Sequence, residues 1–256
     1  MNIVLCDSAE QATSLSAQMI FREVARRPSS VLGWAAGGTM DQLYQELLQL
    51  QQQEPQRWSD VRSFNLDEYV GLAADHPMSY RYFMRHKLFE PLGIPQAHIH
   101  MPKADAPNPD QACRDYENAI AAAGGIDLQL LGIGKNGHIG FNEPSSSMGS
   151  RTRITRLSQD TLAANQRFFA PGEFQPQWAI TMGIQTILEC RKIVMLAIGE
   201  KKARAVAAMA EGPLTAMCPA SALQMHPATT VVLDPSAAQL LTLKDYYRSA
   251  AVEQAP

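Results

Sequence analysis

Short apolar runs alternate with stretches of helical period along the whole chain. "NIVLC" (residues 2–6) reads as a strand, with Asp7 or Ser8 placed to cap the helix behind it. In that helix Ala12, Leu15, Met19, Ile20 and Val24 recur on one face until Pro28 stops it. "SVLGWAA" is the next strand, Gly37-Gly38-Thr39 a turn, and "DQLYQELLQLQQQ" a helix. "VRSFNL" then reads as strand and "MSYRYFMRHKLF" as helix, and "DQACRDYENAIAAAG" as a helix that Gly124 closes with a C-terminal glycine cap. "IDLQLLGIG" and "KIVMLAIG" are continuously apolar, as central strands buried on both faces must be. A helix over 200–211, the strand "TTVVLD", and a last helix opened by Pro235 and running from about 236 to 250 complete the pattern.

Alternating strands and helices with continuously apolar strands predict an α/β fold: an open, mainly parallel, Rossmann-like sheet with helices on both faces. No repeat, low-complexity tract or linker interrupts the 256 residues, which suit a single domain spanning 1–256. Ligands of such sheets bind beyond the carboxyl ends of the strands. Three polar clusters fall there: "AAGGT" after strand 30–35, "DEY" after strand 61–66, and "GIGKNGHIGFNEP" after strand 126–132.

Composition narrows the ligand. Hydrophobic residues make up 46% and charged residues 18%, the balance of a well-buried globular protein. The net charge of −3 leaves no broad basic surface, which argues against nucleic acid or membrane partners and for a small molecule held by a few local cations. Cys6, Cys113, Cys190 and Cys218 lie far apart with no C-x-x-C pair, the usage of reduced, buried thiols. The N-terminus lacks a basic, apolar leader pattern and no stretch reaches membrane-span length, so the expected location is the cytoplasm.

Each cluster carries chemistry beside a blander alternative. Gly37, Gly38 and Thr39 between strand and helix could present amides and a hydroxyl to a phosphate, or simply make a tight turn. Of Asp67 and Glu68, adjacent and pointing apart, at most one faces a ligand as a general base while the other caps or pairs. In the glycine-rich loop His138 can take and give a proton, and Glu143 and Asn136 lie close enough in the chain to hold one ring nitrogen. Arg167 and Lys202 are candidate anion-holding cations, with a solvated surface role as the default for either. His98 and His100 share a strand face but have no third metal-ligating neighbour.

Together "FNLDEYVGL", "HPMSYRYFM", "LGIGKNGHIGFNEP", "SRTRITRLSQDT", "ANQRFF" and "LQMHP" resemble the glucosamine-6-phosphate deaminase family, from about residue 30 to residue 235. The related 6-phosphogluconolactonases share the fold and a Gly-His loop without the FNEP continuation. The resemblance implies the fold of that superfamily, with a candidate mobile lid around 145–175. It also implies conversion of glucosamine 6-phosphate and water to fructose 6-phosphate and ammonia, with no organic cofactor or catalytic metal. It assigns proton transfer to Asp67, ring opening to His138, and support of His138 to Glu143 and Asn136. It places the phosphate on Gly37, Gly38, Thr39, Arg167 and Lys202. A galactosamine 6-phosphate substrate, a lactonase and a non-catalytic sugar-phosphate sensor are the alternatives.

Four positions depart from the family pattern. Asn136 stands where some members carry Asp, and Ala36 and Met40 replace a Thr and a Pro of the phosphate loop. Thr155 stands where the regulated hexamers carry Lys, which bears on activation by N-acetylglucosamine 6-phosphate and on a homo-oligomeric assembly.

Overall fold

The computed structural model describes residues 1–166, 169, 172 and 174–253, giving the backbone alone at 160, 164, 165 and 251–253. The strands are β1 (Asn2–Leu5), β2 (Val31–Trp34), β3 (Arg62–Asn65), β4 (Asp67–Tyr69), β5 (Ile99–His100), β6 (Leu128–Leu131), β7 (Arg153–Arg156), β8 (Trp178–Thr181), β9 (Ile193–Ala197) and β10 (Thr229–Leu233). Seven of them form one sheet in the order β1-β10-β9-β6-β2-β3-β5, and every pairing within it is parallel. The continuously apolar runs are its centre: β2, β6 and β9 are buried at every position.

The principal helices are α1 (Ala9–Arg26), α2 (Gly38–Gln53), α3 (Tyr80–Met84), α4 (Glu90–Leu92), α5 (Pro109–Ala122), α6 (Gln159–Asn165), α7 (Ile184–Leu188), α8 (Ala203–Ala210) and α9 (Lys244–Glu253). Ser8 caps α1 through its hydroxyl, as the sequence predicts, and the expected apolar face packs on α2, β9 and β10. Among the described residues no helix is long and apolar enough to cross a membrane.

Two features depart from the sequence expectation. The last helix does not run from Pro235: residues 235–240 form turns, and α9 starts at Lys244. The cause lies at both ends of the turns. Asp234 accepts from the Ala237 amide at 2.8 Å, and Ala237, Ala238 and Leu241 bury against the core. The Glu211 carboxylate then takes the amides of Thr242 and Leu243, at 2.8 Å and 2.9 Å, the donors that a new helix start leaves over.

The second departure is an antiparallel sheet, β4-β8-β7, that no periodicity announced. It joins the main sheet through the Met182 amide, which donates to the Leu66 carbonyl at 2.6 Å. Beneath it Tyr69, Leu72, Phe141, Leu157, Leu162 and Ala179 form a second apolar cluster. Tyr69 comes from β4 and Phe141 from the glycine-rich loop, and Tyr80 of α3 stacks on Phe141 with ring centroids 6.0 Å apart. This cluster ties Asp67 and the loop to one rigid body.

At the opposite, amino-terminal edge of the main sheet, buried Asp127 accepts from the Val31 amide, Arg27 and Arg191, each at 2.8 Å. Both arginines are half exposed and return to water if the carboxylate goes, whereas the Val31 amide does not. Asp127→Ala is therefore expected to cost about 2 kcal/mol, the penalty of an orphaned buried donor plus a small void, read as a lower urea midpoint.

Candidate active site

The sheet order decides which segments can meet. β9, β6, β2 and β3 are consecutive neighbours, and from their carboxyl ends come Lys202, the glycine-rich loop, Gly37-Gly38-Thr39 and Asp67 respectively. All are parallel, so the four segments open onto the same edge of the sheet. The three polar clusters and Lys202 thus share the crevice that the fold predicts.

Asp67 opens β4, opposite Thr181 of β8, and is 6% exposed. Burial pushes its carboxyl well above the ordinary carboxylate range, and the adjacent Glu68 charge adds to the rise. Among the described residues no donor is hydrogen-bonded to its carboxylate. Glu68 points the other way and holds the start of α3, accepting the amides of Tyr69, Tyr80 and Arg81 at 2.9, 2.9 and 2.8 Å. The capping duty that an aspartate in a loop usually takes has gone to its neighbour, which leaves Asp67 facing the loop.

Two glycines allow that approach. Gly140 has φ +55°, and a Cβ there would lie 2.9 Å from Thr181 Oγ1 and 3.3 Å from Asp67 Oδ2. At Gly134 a Cβ would fall 2.3 Å from the His138 ring, so the imidazole lies flat against bare backbone. The loop is closed by the Gly134 amide donating to the His138 carbonyl at 2.9 Å. Asn142 clamps the loop's far end, its Nδ2 donating to the carbonyls of Ile139 and Met182 at 2.9 Å each.

The Glu143 carboxylate, 8% exposed, is the hub of the loop. Its Oε2 lies 3.3 Å from His138 Nδ1, an ion-pair contact that lacks the alignment of a hydrogen bond. The same oxygen accepts from Asn136 Nδ2 at 2.8 Å, and Oε1 accepts from the Thr161 hydroxyl of α6. Burial raises the Glu143 pKa, but the contacts with His138, Thr161 and Asn136 outweigh it and bring the value down to about 2. Glu143 therefore stays ionised next to the ring.

Asn136 does not hold a ring nitrogen, the option its chain position left open. Its Oδ1 accepts from the His138 backbone amide at 3.2 Å while its Nδ2 faces Glu143. Only this orientation of the side-chain amide gives the amide hydrogen an acceptor and the carboxylate a donor.

The expected phosphate loop begins α2 with Gly37 as N-cap and no side-chain cap. A side chain at Gly37 or Gly38 would meet nothing within 4 Å, so the uncapped first turn faces open space. Met40 is buried and its Cε approaches Gly132, linking this turn to the glycine-rich loop. The Lys202 ammonium has no ion-pair or hydrogen-bond partner among the described residues, and burial lowers its pKa. Arg167 lies outside the described residues. His100 stacks on Phe64 with centroids 4.4 Å apart, the packing role that is the commoner fate of such a pair.

Sequence reasoning missed Thr161 and Asn142, and it left open which of Asp67 and Glu68 caps and which faces the ligand. Asn142 stood in the quoted loop, but one of its two carbonyl contacts is to Met182, directly after β8. Thr161 lies 18 residues from Glu143, and no spacing rule connects them.

Residues 6–232 match the family described as glucosamine-6-phosphate isomerases/6-phosphogluconolactonase. The chain is 52% identical over 251 residues to a glucosamine-6-phosphate deaminase of Shewanella loihica, covering 98% of this chain and 93% of the relative. It is 51% identical over 248 residues to the deaminase of Cellvibrio japonicus, covering 97% and 94%. A solved monomeric glucosamine-6-phosphate deaminase superposes with a TM-score of 0.91 at 39% identity, over 94% of this chain and 100% of that one. The 6-phosphogluconolactonase of Trypanosoma cruzi superposes with a TM-score of 0.76 at 20% identity, over 94% and 97%, a likeness of fold alone.

The depressed Glu143 value has a consequence for stability. Its contribution is fully present above the ordinary value of 4.5 and is lost as pH falls through about 2. Between those values Glu143→Gln is expected to lose stability less steeply with acid than the parent protein, measured as urea midpoints across the pH series.

Proposed function

The chain belongs to the glucosamine-6-phosphate isomerase/6-phosphogluconolactonase family, and on that premise we propose that it is an enzyme converting glucosamine 6-phosphate and water into fructose 6-phosphate and ammonia. One observation carries the chemistry. A carboxyl pushed up by burial (Asp67) faces a loop whose imidazole (His138) sits against a carboxylate held ionised (Glu143). Two acid–base groups with opposed environments in one crevice are what a proton shift between neighbouring carbons requires.

His138 gives a proton to the ring oxygen while the anomeric hydroxyl loses its own to solvent, and as the bond from C1 to the ring oxygen breaks the sugar opens to the aldehyde. Asp67, ionised, takes the proton from C2 and returns it to C1. The electron pair passes through an enolamine, and the C1 carbonyl oxygen gains a proton to become a hydroxyl. The C2 iminium left behind adds water and expels ammonia, which gives the ketose. Glu143 has both oxygens occupied by protein donors, so it acts through His138 rather than on the sugar. The ester phosphate sits on the α2 amino terminus at Gly37, Gly38 and Thr39, with Lys202 and Arg167 as its cations. Binding of this remote group holds C1 and C2 against Asp67.

The identity of about 50% to named deaminases over the full length favours this substrate over the lactone, whose enzymes share the fold at 20% identity. The direct test is release of ammonia and fructose 6-phosphate from glucosamine 6-phosphate, with galactosamine 6-phosphate and 6-phosphogluconolactone as comparisons. No ammonia from the first sugar would end the proposal.

Because Asp67 must be ionised to act, kcat/KM should rise with pH along an acid limb displaced above the ordinary value of 3.8. Asp67→Asn should lower turnover between about 10²- and 10⁴-fold, the range of a lost general base. Retention of most activity would remove Asp67 from the mechanism. Lys202→Ala should raise KM roughly ten- to hundredfold with kcat little changed, since a phosphate contact serves ground and transition states alike. An unchanged KM would leave Lys202 without a phosphate.

A further inference from the structure

Glu143 ends in a torsion, χ3, that is broad and roughly two-fold in the absence of contacts. One partner on one oxygen cannot stop the carboxylate from turning. Here the two oxygens are held from two directions. Oε2 is taken from within the loop by Asn136 Nδ2 and His138 Nδ1, and Oε1 is taken from α6 by the Thr161 hydroxyl. Thr161 is itself fixed: its amide donates to Ser158 Oγ at 3.2 Å, and the Ser158 hydroxyl lies 3.1 Å from Thr161 Oγ1. At 7% and 8% exposure, Thr161 and Glu143 leave little room for water to replace that donor.

We propose that Thr161 is a positioning residue for the reaction: its hydroxyl locks the rotation of the Glu143 carboxylate and thereby fixes the imidazole of His138. The proposal deepens the reading of the previous subsection and rests on it for the role of His138. The alignment of His138 then depends on α6 as well as on its own loop. α6 is seated by Leu162 in the second apolar cluster and by Gln175 Nε2, which donates to the Leu162 carbonyl at 2.6 Å. A threonine packed there for volume alone would not have its hydroxyl on the carboxylate.

Thr161→Val removes the hydroxyl and keeps the shape, whereas Thr161→Ser keeps the hydroxyl and loses a methyl group. With glucosamine 6-phosphate, Thr161→Val should lower kcat by about tenfold and leave KM within about twofold, because alignment matters in the transition state rather than in binding. Thr161→Ser should restore most of the loss. A readout without substrate separates this inference from the reaction itself. The two imidazole nitrogen resonances of His138, assigned by their absence in His138→Gln, report which nitrogen carries the proton and how firmly. They should move in Thr161→Val and keep the parent position in Thr161→Ser. If the parent protein makes no ammonia, the proposed reaction fails and the imidazole arm alone decides the role of Thr161. Unchanged resonances in Thr161→Val, or a serine variant no better than valine, would overturn the proposal. Should Thr161→Val not fold, Thr161→Ala carries the same expectations.

Discussion

A carboxylate that stays ionised out of water needs donors on both oxygens, and the candidate site depends on how Glu143 obtains them. The partners of Glu143 come from two separate places. Asn136 and His138 belong to the loop after β6, and Thr161 belongs to α6. Loop and α6 are brought together by the small antiparallel sheet and the cluster beneath it, where Phe141, Leu157 and Leu162 share one apolar interior. The electrostatics of one side chain therefore rest on the packing of the second, smaller core.

The same packing produces the opposite result at Asp67. Both carboxyls are nearly out of water, yet one is driven up and the other down. Burial acts in the same sense on each, so the contacts make the difference. Glu143 has two donors and the imidazole of His138 close by, whereas Asp67 has an acidic neighbour and no hydrogen-bonded donor among the described residues. Glu68 sharpens this contrast by spending its own oxygens on the start of α3, which keeps its negative charge beside Asp67 without supplying a partner. Backbone placement is thus common to the two groups, and local hydrogen bonding separates their chemistry.

The parallel sheet was legible because its central strands are almost wholly apolar, Gln129 of β6 being the polar exception, a pattern that survives without any partner being known. The carboxyl-end rule then placed Asp67, His138 and Gly37 on the same edge before a contact was seen. The small sheet was not legible. "DEY", "RITR" and "WAIT" are too short for a period to register, and their pairing is non-local, as Asp67 with Thr181 illustrates. The start of α9 was misplaced for a similar reason. Pro235 is a genuine local signal, but Glu211, far back in the chain, supplies the acceptors that begin that helix at its observed position. Thr161 belongs with these: its role lies in one tertiary contact and leaves no trace in spacing.

Asn136 is the position at which sequence and structure together say more than either alone. As a departure from the aspartate of some relatives it first reads as a lost charge. In the folded loop it is the residue that donates 2.8 Å from Glu143 Oε2 and accepts from the His138 amide. An aspartate there could still accept from that amide, but it would set a second carboxylate against Glu143. One of the pair would then have to keep a proton. Asparagine avoids that coupling. It leaves a single ionised carboxylate next to His138, so the charge beside the imidazole belongs to one partner rather than to a pair sharing a proton.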